Sequence, residues 1–261
     1  MKSKSYAKVN IFLKIVGIRD NYHLISSRFI LVKNLFDTIT FSKKEKRNSK
    51  FELIGNFGCQ TKSNTIYKVY TKLLEETDSN KLKEFFEEYK IEVDKNIPEF
   101  AGLGGGSSNA ATFLNMCNDI IGLNLSKEKL AKIGAKVGAD IPFFVYNYNS
   151  ANVEGIGEIV TKFDEKLLDI ETITPKIESH TKDVYMRYRA NYLKNMNIEL
   201  ADKLLKMRSK EILDNYTAYE LNDLFQPSVD LNSKLEIYAK KDWYFSGSGS
   251  SFFKVVKWAE K

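Results

Sequence analysis

Cysteine, histidine and proline are scarce in this chain: its 261 residues hold two, two and four of them. Cys59 and Cys117 make no disulfide framework. With only His23 and His180 to help, they make no four-ligand structural metal site either. Zinc-finger and disulfide-stapled secreted classes are thereby excluded, and both thiols are expected to be free in a reducing compartment. No run approaches the roughly 18 unbroken apolar residues of a membrane span. The basic residues 1–5 are followed by Lys8, Asn10 and Lys14 where a signal peptide would carry its apolar segment. The expectation is a cytoplasmic protein with no membrane partner. Internal repeats and proline- or glycine-rich linkers are also missing, so no composition shift fixes a domain boundary.

What is present is a core. Hydrophobic residues make up 43% of the chain, ordinary for a globular protein, and at roughly 100–200 residues per domain the length suits one large domain or two modest ones. The 40 Lys and Arg against 34 Asp and Glu give a net charge of +6, which suits an anionic partner without naming it. A non-catalytic RNA-binding module is one alternative. Against it, the basic residues are interleaved with acids, as from Lys81 to Lys90, and the one dense cluster, Lys43 to Lys50, reads as a solvated hairpin loop between strand-like pieces.

Periodicity supplies the elements. Tyr6 to Val16 alternates, with Ala7, Val9, Ile11, Leu13 and Ile15 on one face and Lys8, Asn10, Phe12 and Lys14 on the other, which predicts a half-buried strand presenting Lys8 beside Asn10. Residues 17–21 read as a turn. Helices are predicted from Asn64 through Leu74, from Ala110 to Ile121 with Gly122 as its stop, and from Ser126 as cap to Val137, stopped by Gly138. Two more are predicted near Ile198 to Met207 and Ala218 to Phe225. Strands are predicted at Ile91 to Lys95, Asp169 to Thr174, Trp243 to Phe245 and Phe252 to Lys257. Helices and strands mix without a regular βα rhythm, so the class is α+β. The polar cluster Asn147, Asn149, Ser150, Asn152 marks the best boundary, giving domains of residues 1–150 and 151–261.

The strongest local signal runs Pro98-Glu99-Phe100-Ala101-Gly102-Leu103-Gly104-Gly105-Gly106-Ser107-Ser108-Asn109-Ala110-Ala111. Four glycines in five positions let the backbone turn tightly and approach a ligand closely. The following helix start then directs amides, hydroxyls and the positive end of a dipole at one point, as phosphate binding requires. It is not a Walker A loop, for no Gly-Lys pair occurs in the chain, and the dinucleotide fingerprint would need glycine where Ser107 stands.

That string resembles the central motif of the GHMP kinases. Further strings, Ala7-Lys8-Val9-Asn10-Ile11-Phe12-Leu13, Tyr22-His23, Gly138-Ala139-Asp140-Ile141-Pro142-Phe143-Phe144, Gly155-Ile156-Gly157-Glu158 and Ser246-Gly247-Ser248-Gly249-Ser250-Ser251, are similar to the branch that phosphorylates 4-diphosphocytidyl-2-C-methyl-D-erythritol. The likeness runs from residue 7 to about residue 253. It implies a two-domain GHMP kinase fold, ribosomal-protein-like at the N-terminal end and ferredoxin-like at the C-terminal end. It also implies an ATP-dependent transfer to the 2-hydroxyl of that substrate, in the non-mevalonate route to isoprenoid precursors. A sibling kinase for homoserine or mevalonate is the nearest alternative, though such acceptors offer no base for Tyr22-His23 to meet.

By the same resemblance Asp140 is the general base and Lys8 its cationic neighbour, roles that phosphoryl transfer needs to take the hydroxyl proton and offset charge. Residues 98–108 hold the triphosphate, and Asn64 and Lys95 lie near the adenine. Asn10, Tyr22, His23, Thr181 and Tyr185 meet the cytidine end, and Gly247, Ser248 and Gly249 supply amides near the substrate phosphates. Mg²⁺ is expected with ATP, but no residue cluster names its ligands. Two departures stand out. Asp20-Asn21-Tyr22-His23 replaces the usual Asp-Gly-Tyr-His, with Asn21 expected to take the positive φ, and the string leading to Thr181 matches only loosely.

Overall fold

Two long strands open the chain, β1 (Lys2–Arg19) and β2 (Tyr22–Lys43), joined by a tight turn. The computed structural model describes residues 1–77 and 79–256. Strand β1 runs through Arg19, so the predicted turn at residues 17–21 shrinks to Asp20 and Asn21. The left-handed residue there is Asp20, at φ 56°, not Asn21. Nor is β1 half-buried: residues 7–15 are buried on both faces, because the face bearing Lys8, Asn10 and Lys14 meets protein rather than water.

The chain divides into two compact units that are not consecutive halves. The first takes residues 1–7, 35–99 and 105–147, and the second residues 8–34, 100–104 and 148 onward. The change at Asn147 and Tyr148 lies beside the polar cluster noted above, but Ser150–Gly155 is itself a strand.

In the first unit, β3 (Leu53–Gly55) is followed by α1 (Thr65–Thr77), α2 (Asn80–Glu88), β4 (Tyr89–Asp94), α3 (Gly105–Ile121), α4 (Lys127–Ala135) and α5 (Ile141–Tyr146). Strand β4 pairs antiparallel with β2 over Thr38 to Lys43 and parallel with β3. Residues 43–50 therefore join two strands that flank β4 and form no hairpin. Lys44 Nζ folds the connection on itself by donating to the carbonyls of Asn48 and Lys50. The core is aromatic: Phe86 stacks on Phe113 at 5.5 Å, and Phe41 meets Phe113 edge-on at 5.8 Å. Each such ring stabilises by about 1.5–3 kcal/mol through burial alone. Helix α3 buries Ala110, Ala111, Leu114 and Cys117 of the predicted stripe, and Phe113 beside them, while Ile121 is half-buried, and it ends where Gly122 takes φ 70°. Burial pushes the Cys117 thiol well up, which leaves it inert, and Cys59 is exposed. Helix α4 has the predicted Ser126 cap on Lys129 N, but it stops at Ala135. The amides of Val137 and Gly138 both turn back to the Gly134 carbonyl.

The second unit holds β5 (Ser150–Gly155), β6 (Ile159–Lys162), β7 (Ile170–Ile173), α6 (Thr181–Asn191), α7 (Ile198–Lys206), α8 (Ser209–Asn215), α9 (Ala218–Leu221), α10 (Phe225–Leu231), β8 (Tyr244–Phe245) and β9 (Phe252–Val255). Strand β5 pairs antiparallel with Ile25 to Ile30 of β2 and with β6, and β7, β9 and β8 form an antiparallel sheet in that order. The predicted helix over residues 218–225 is two helices. Asn222 breaks it, its Oδ1 accepting from Leu224 N while its Nδ2 donates to the carbonyls of Phe245 and Gly247. Strand β9 ends at Val255, and Lys257, predicted as its last residue, lies outside the described residues. Arg28 is wholly buried at the centre of this unit. Its guanidinium donates to Asn152, Ser209 and the carbonyls of Leu205 and Met207, pairs with Glu165 at 3.5 Å, and lies 3.3 Å over the Phe163 ring. Burial pushes its pKa down to about 10 against the opposing pull of Glu165, so it stays charged at neutral pH.

Candidate active site

In the second unit the site grows from β1. Lys8, 3% exposed, donates from Nζ to Asn10 Oδ1 at 2.6 Å and to the Gly102 carbonyl at 3.1 Å, and sits 4.5 Å from the centre of the Phe29 ring. The solvated strand lysine that alternation alone would allow is therefore not what forms. Asn10 Nδ2 donates to Ser27 Oγ, and Lys8 N donates to the Leu103 carbonyl, which fastens residues 100–104 along β1.

The turn of residues 246–251 packs on the same segment. Ser246 Oγ donates to the Gly102 carbonyl, and Ser251 N to the Ala101 carbonyl. Gly102 (φ 77°) and Gly249 face each other backbone to backbone: a Cβ on Gly102 would fall on the Ser246 oxygen, and one on Gly249 on the Ala101–Gly102 peptide. Gly247 (φ 65°) leaves 3.5 Å between an added Cβ and Asn10 Oδ1. Asn222 holds the turn through Gly247 O, while its neighbour Asp223 receives Ile15 N and the ammonium of Lys14. Thr181, the first residue of α6, bonds Ser248 Oγ through its hydroxyl at 2.9 Å, and Ser179 Oγ donates to the Ser248 carbonyl. The structure thus brings Lys8, Asn10, Gly102, Gly247, Ser248, Gly249 and Thr181 into one constellation.

His23 forms a second cluster, 5.0 Å from the ring of Tyr185 and 6.0 Å from that of Tyr188. It is 9% exposed, and its buried Nε2 has no hydrogen-bond partner among the described residues. Burial chiefly, and the charge of Arg189, lower its pKa, so the imidazole is neutral at neutral pH. Tyr22 stands apart with 60% of its surface exposed.

In the first unit, Gly105, Gly106, Ser107 and Ser108 form the first turn of α3, whose leading amides have no partner within the helix. Asp140 occupies the N-cap of α5, but its carboxylate makes no capping bond, and Pro142 follows in the first turn. The turn before it comes near α3: a Cβ on Gly138 would lie 3.8 Å from Ser107 Oγ. Pro98, Glu99 and Phe100 are exposed. Glu99 Oε2 accepts from Gly58 N, and Phe100 adopts φ 55°. Asn64 caps α1, its Oδ1 accepting from Ile66 N. Lys95 turns to Asp37 and Asn109. Asp37, Ser5 and Asn222 are residues the motif reading passed over, and Asn109, quoted within the string, received no role from it. The available signal was a lone acid in the apolar stretch of β2 and an asparagine on the buried face of α3.

Among the described residues no group of three or more His, Cys, Asp or Glu could hold a metal ion, and no helix is long and apolar enough to cross a membrane.

Residues 64–148 match the model of the GHMP kinases N terminal domain. The chain is 52% identical over 255 residues to the 4-diphosphocytidyl-2-C-methyl-D-erythritol kinase of Sulfurimonas denitrificans, covering 97% of this chain and 96% of that one. It is 43% identical to the protein of the same name from Campylobacter jejuni, with 97% and 99% covered. Among solved structures it superposes on a 4-(cytidine 5'-diphospho)-2C-methyl-D-erythritol kinase with a TM-score of 0.71 at 23% identity, over 98% of this chain and 90% of that one. The mevalonate kinase of Methanococcus jannaschii gives 0.63 at 15% identity, over 98% and 90%. At those identities the superpositions establish the shared GHMP kinase fold.

Proposed function

The chain belongs to the 4-diphosphocytidyl-2-C-methyl-D-erythritol kinase family, and from that premise we propose that it moves the γ-phosphoryl group of ATP to the 2-hydroxyl of 4-diphosphocytidyl-2-C-methyl-D-erythritol, a step in making isoprenoid precursors. The observation that carries this reading is the 52% identity, end to end, to a kinase of that name.

Each role rests on residues already described. Asp140, at the N-cap of α5, accepts the hydroxyl proton, the role that the family resemblance gives it. Lys8 offsets charge on the moving phosphoryl group, held in place by Asn10 and the Gly102 carbonyl. The leading amides of α3 receive phosphate of ATP, as unsatisfied N–H groups at a dipole's positive end do. His23 reads the cytosine edge, since a neutral imidazole with a buried unpaired nitrogen hydrogen-bonds a base without a charge to neutralise. Tyr185 and the exposed Tyr22 supply ring faces for it, and Thr181, Gly247, Ser248 and Gly249 line the acceptor's path. Asn64 and Lys95 stand on the adenine side. Mg²⁺ bound with ATP would screen phosphate charge in such a transfer, and among the described residues no group of three or more His, Cys, Asp or Glu could hold it.

A coupled ADP-release assay tests the reading. ADP should form only when protein, ATP and the cytidine substrate are all present, and no ADP above background in the full mixture would overturn the assignment. Asp140→Asn and Lys8→Met should each remain folded and lose about 10²- to 10⁴-fold in kcat. Near-normal turnover removes that residue from the mechanism.

A further inference from the structure

The glycine-rich string enters from β4 and leaves into α3, and both of its ends are tied to one buried carboxylate. Asp37, on β2, is wholly inaccessible to solvent. Its Oδ1 accepts the backbone amides of Asn96 at 2.7 Å and Ile97 at 2.8 Å, immediately before Pro98. Its Oδ2 accepts Asn109 Nδ2 at 2.9 Å, in the second turn of α3, and pairs with the Lys95 ammonium. The set closes on itself: Lys95 Nζ also donates to Asn109 Oδ1 at 3.1 Å, Asn109 Nδ2 also donates to Ser5 Oγ at 2.9 Å, and Ser5 Oγ donates to Ser108 Oγ at 2.7 Å. Ser5, Ser108 and Asn109 are each at least 97% buried.

We propose that Asp37 is a positioning residue for ATP, acting through Asn109, Ser5 and Ser108 on the first turn of α3. The physical need is specific. Glycines at 105 and 106 give the amides that would meet phosphate little intrinsic order, and transition-state stabilisation depends on donors that are already aimed. The Asp37 carboxylate fixes the chain on both sides of those glycines at the same point. Ser108, two residues beyond them, is held through Ser5. Lys95 is the charge that allows a carboxylate to be buried there, since a buried ion needs a paired, hydrogen-bonded partner. This assigns Lys95 a part in shaping the nucleotide loop in addition to any contact with the nucleotide.

The inference rests on the reading that the start of α3 binds ATP, and the test separates the two. Binding of a non-hydrolysable ATP analogue is measured by calorimetry on the full chain, alongside steady-state kinetics and thermal melting. If the wild-type protein binds no analogue, the ATP reading itself fails. If it does, Asp37→Asn, which leaves an amide facing Lys95, should weaken analogue binding and raise KM for ATP by about tenfold or more, with KM for the cytidine substrate within about twofold. A folded Asp37→Asn with wild-type ATP affinity overturns the proposal. So does one in which both KM values rise together, because a general loss of structure would act on both. Should Asp37→Asn fail to fold, Ser5→Ala decides, since it removes the link to Ser108 and one bond from Asn109 while leaving the Asp37 carboxylate and Lys95 in place. A selective rise of about threefold in KM for ATP at an unchanged melting temperature supports the proposal, and no change overturns it.

Discussion

Gly102 and Gly106 stand in the same glycine-rich string, yet a methyl group added at each would meet different surroundings. At Gly102 it would fall on the Ser246 carbonyl, with the backbone already at φ 77°. At Gly106, inside the first turn of α3, it would reach nothing closer than Thr65 Oγ1 at 3.5 Å, an ordinary contact. The first half of the string is glycine because a second loop packs against its backbone. Gly104 holds φ 72° and a Cβ on Gly105 would lie 3.0 Å from the Ile97 side chain, so Gly106 alone is not demanded by the protein's own packing, and under the ATP reading proposed above the approach of a ligand is its reason. A glycine-rich motif therefore cannot be read as one device. Part of it is fixed by tertiary packing, and part is left open.

The comparison can be broken from either side. Gly102→Ala should be the most damaging change, combining left-handed strain with a backbone clash that no side chain can relieve. Chemical denaturation should report a loss of about 3 kcal/mol or more, and a protein of wild-type stability would contradict the packing account. Gly106→Ala should do the reverse, leaving the melting temperature unchanged or slightly raised by better helix propensity while KM for ATP rises by about tenfold. An unaffected KM would mean that no ligand approaches there. Gly122→Ala sharpens the contrast by isolating the backbone term: φ is 70° with nothing within 4 Å of an added Cβ, so denaturation should show about 1 kcal/mol of loss and kinetics none.

The smallest effect is one of pH. His23 has a folded pKa below its ordinary 6.5, lowered by burial and by Arg189. In the interval between the two values the unfolded chain holds a proton that the folded one does not. Its stabilising contribution is thus complete above pH 6.5 and is lost as pH falls through the folded value. Acceptor binding should follow the same window, with KM for the cytidine substrate flat near neutrality and rising on acidification, while KM for ATP changes less. Equal movement of both KM values would take His23 out of acceptor recognition.

Periodicity revealed the helices whose ends the sequence marks. Helix α3 carries its stripe and its Gly122 stop in plain order, and α4 its Ser126 cap. It failed where burial is two-sided or the segment short: β1, whose polar face meets other protein, the brief α5 and α8, and the break at Asn222, whose side chain serves a turn more than twenty residues away. Of the candidate site, the glycines of residues 102–106 stood out because four of them together are costly without a purpose, while Lys8, Asn10 and the loop of residues 246–251 were picked out by the family resemblance. Asp37, Asn109 and Ser5 were not, because each forms its bonds with partners far along the chain.

The sequence by itself determined the class, the glycine string, the family likeness and the absence of any zinc or disulfide scaffold, since these depend on residue type and local spacing. Only the tertiary structure decided which glycines are bound to be glycine, which lysine is buried on an asparagine and which on an aspartate, and where a lone acid in a strand would be spent. Those outcomes depend on groups brought together across long separations in the chain, in an interior where an unpaired charge or amide costs more than the chain can carry.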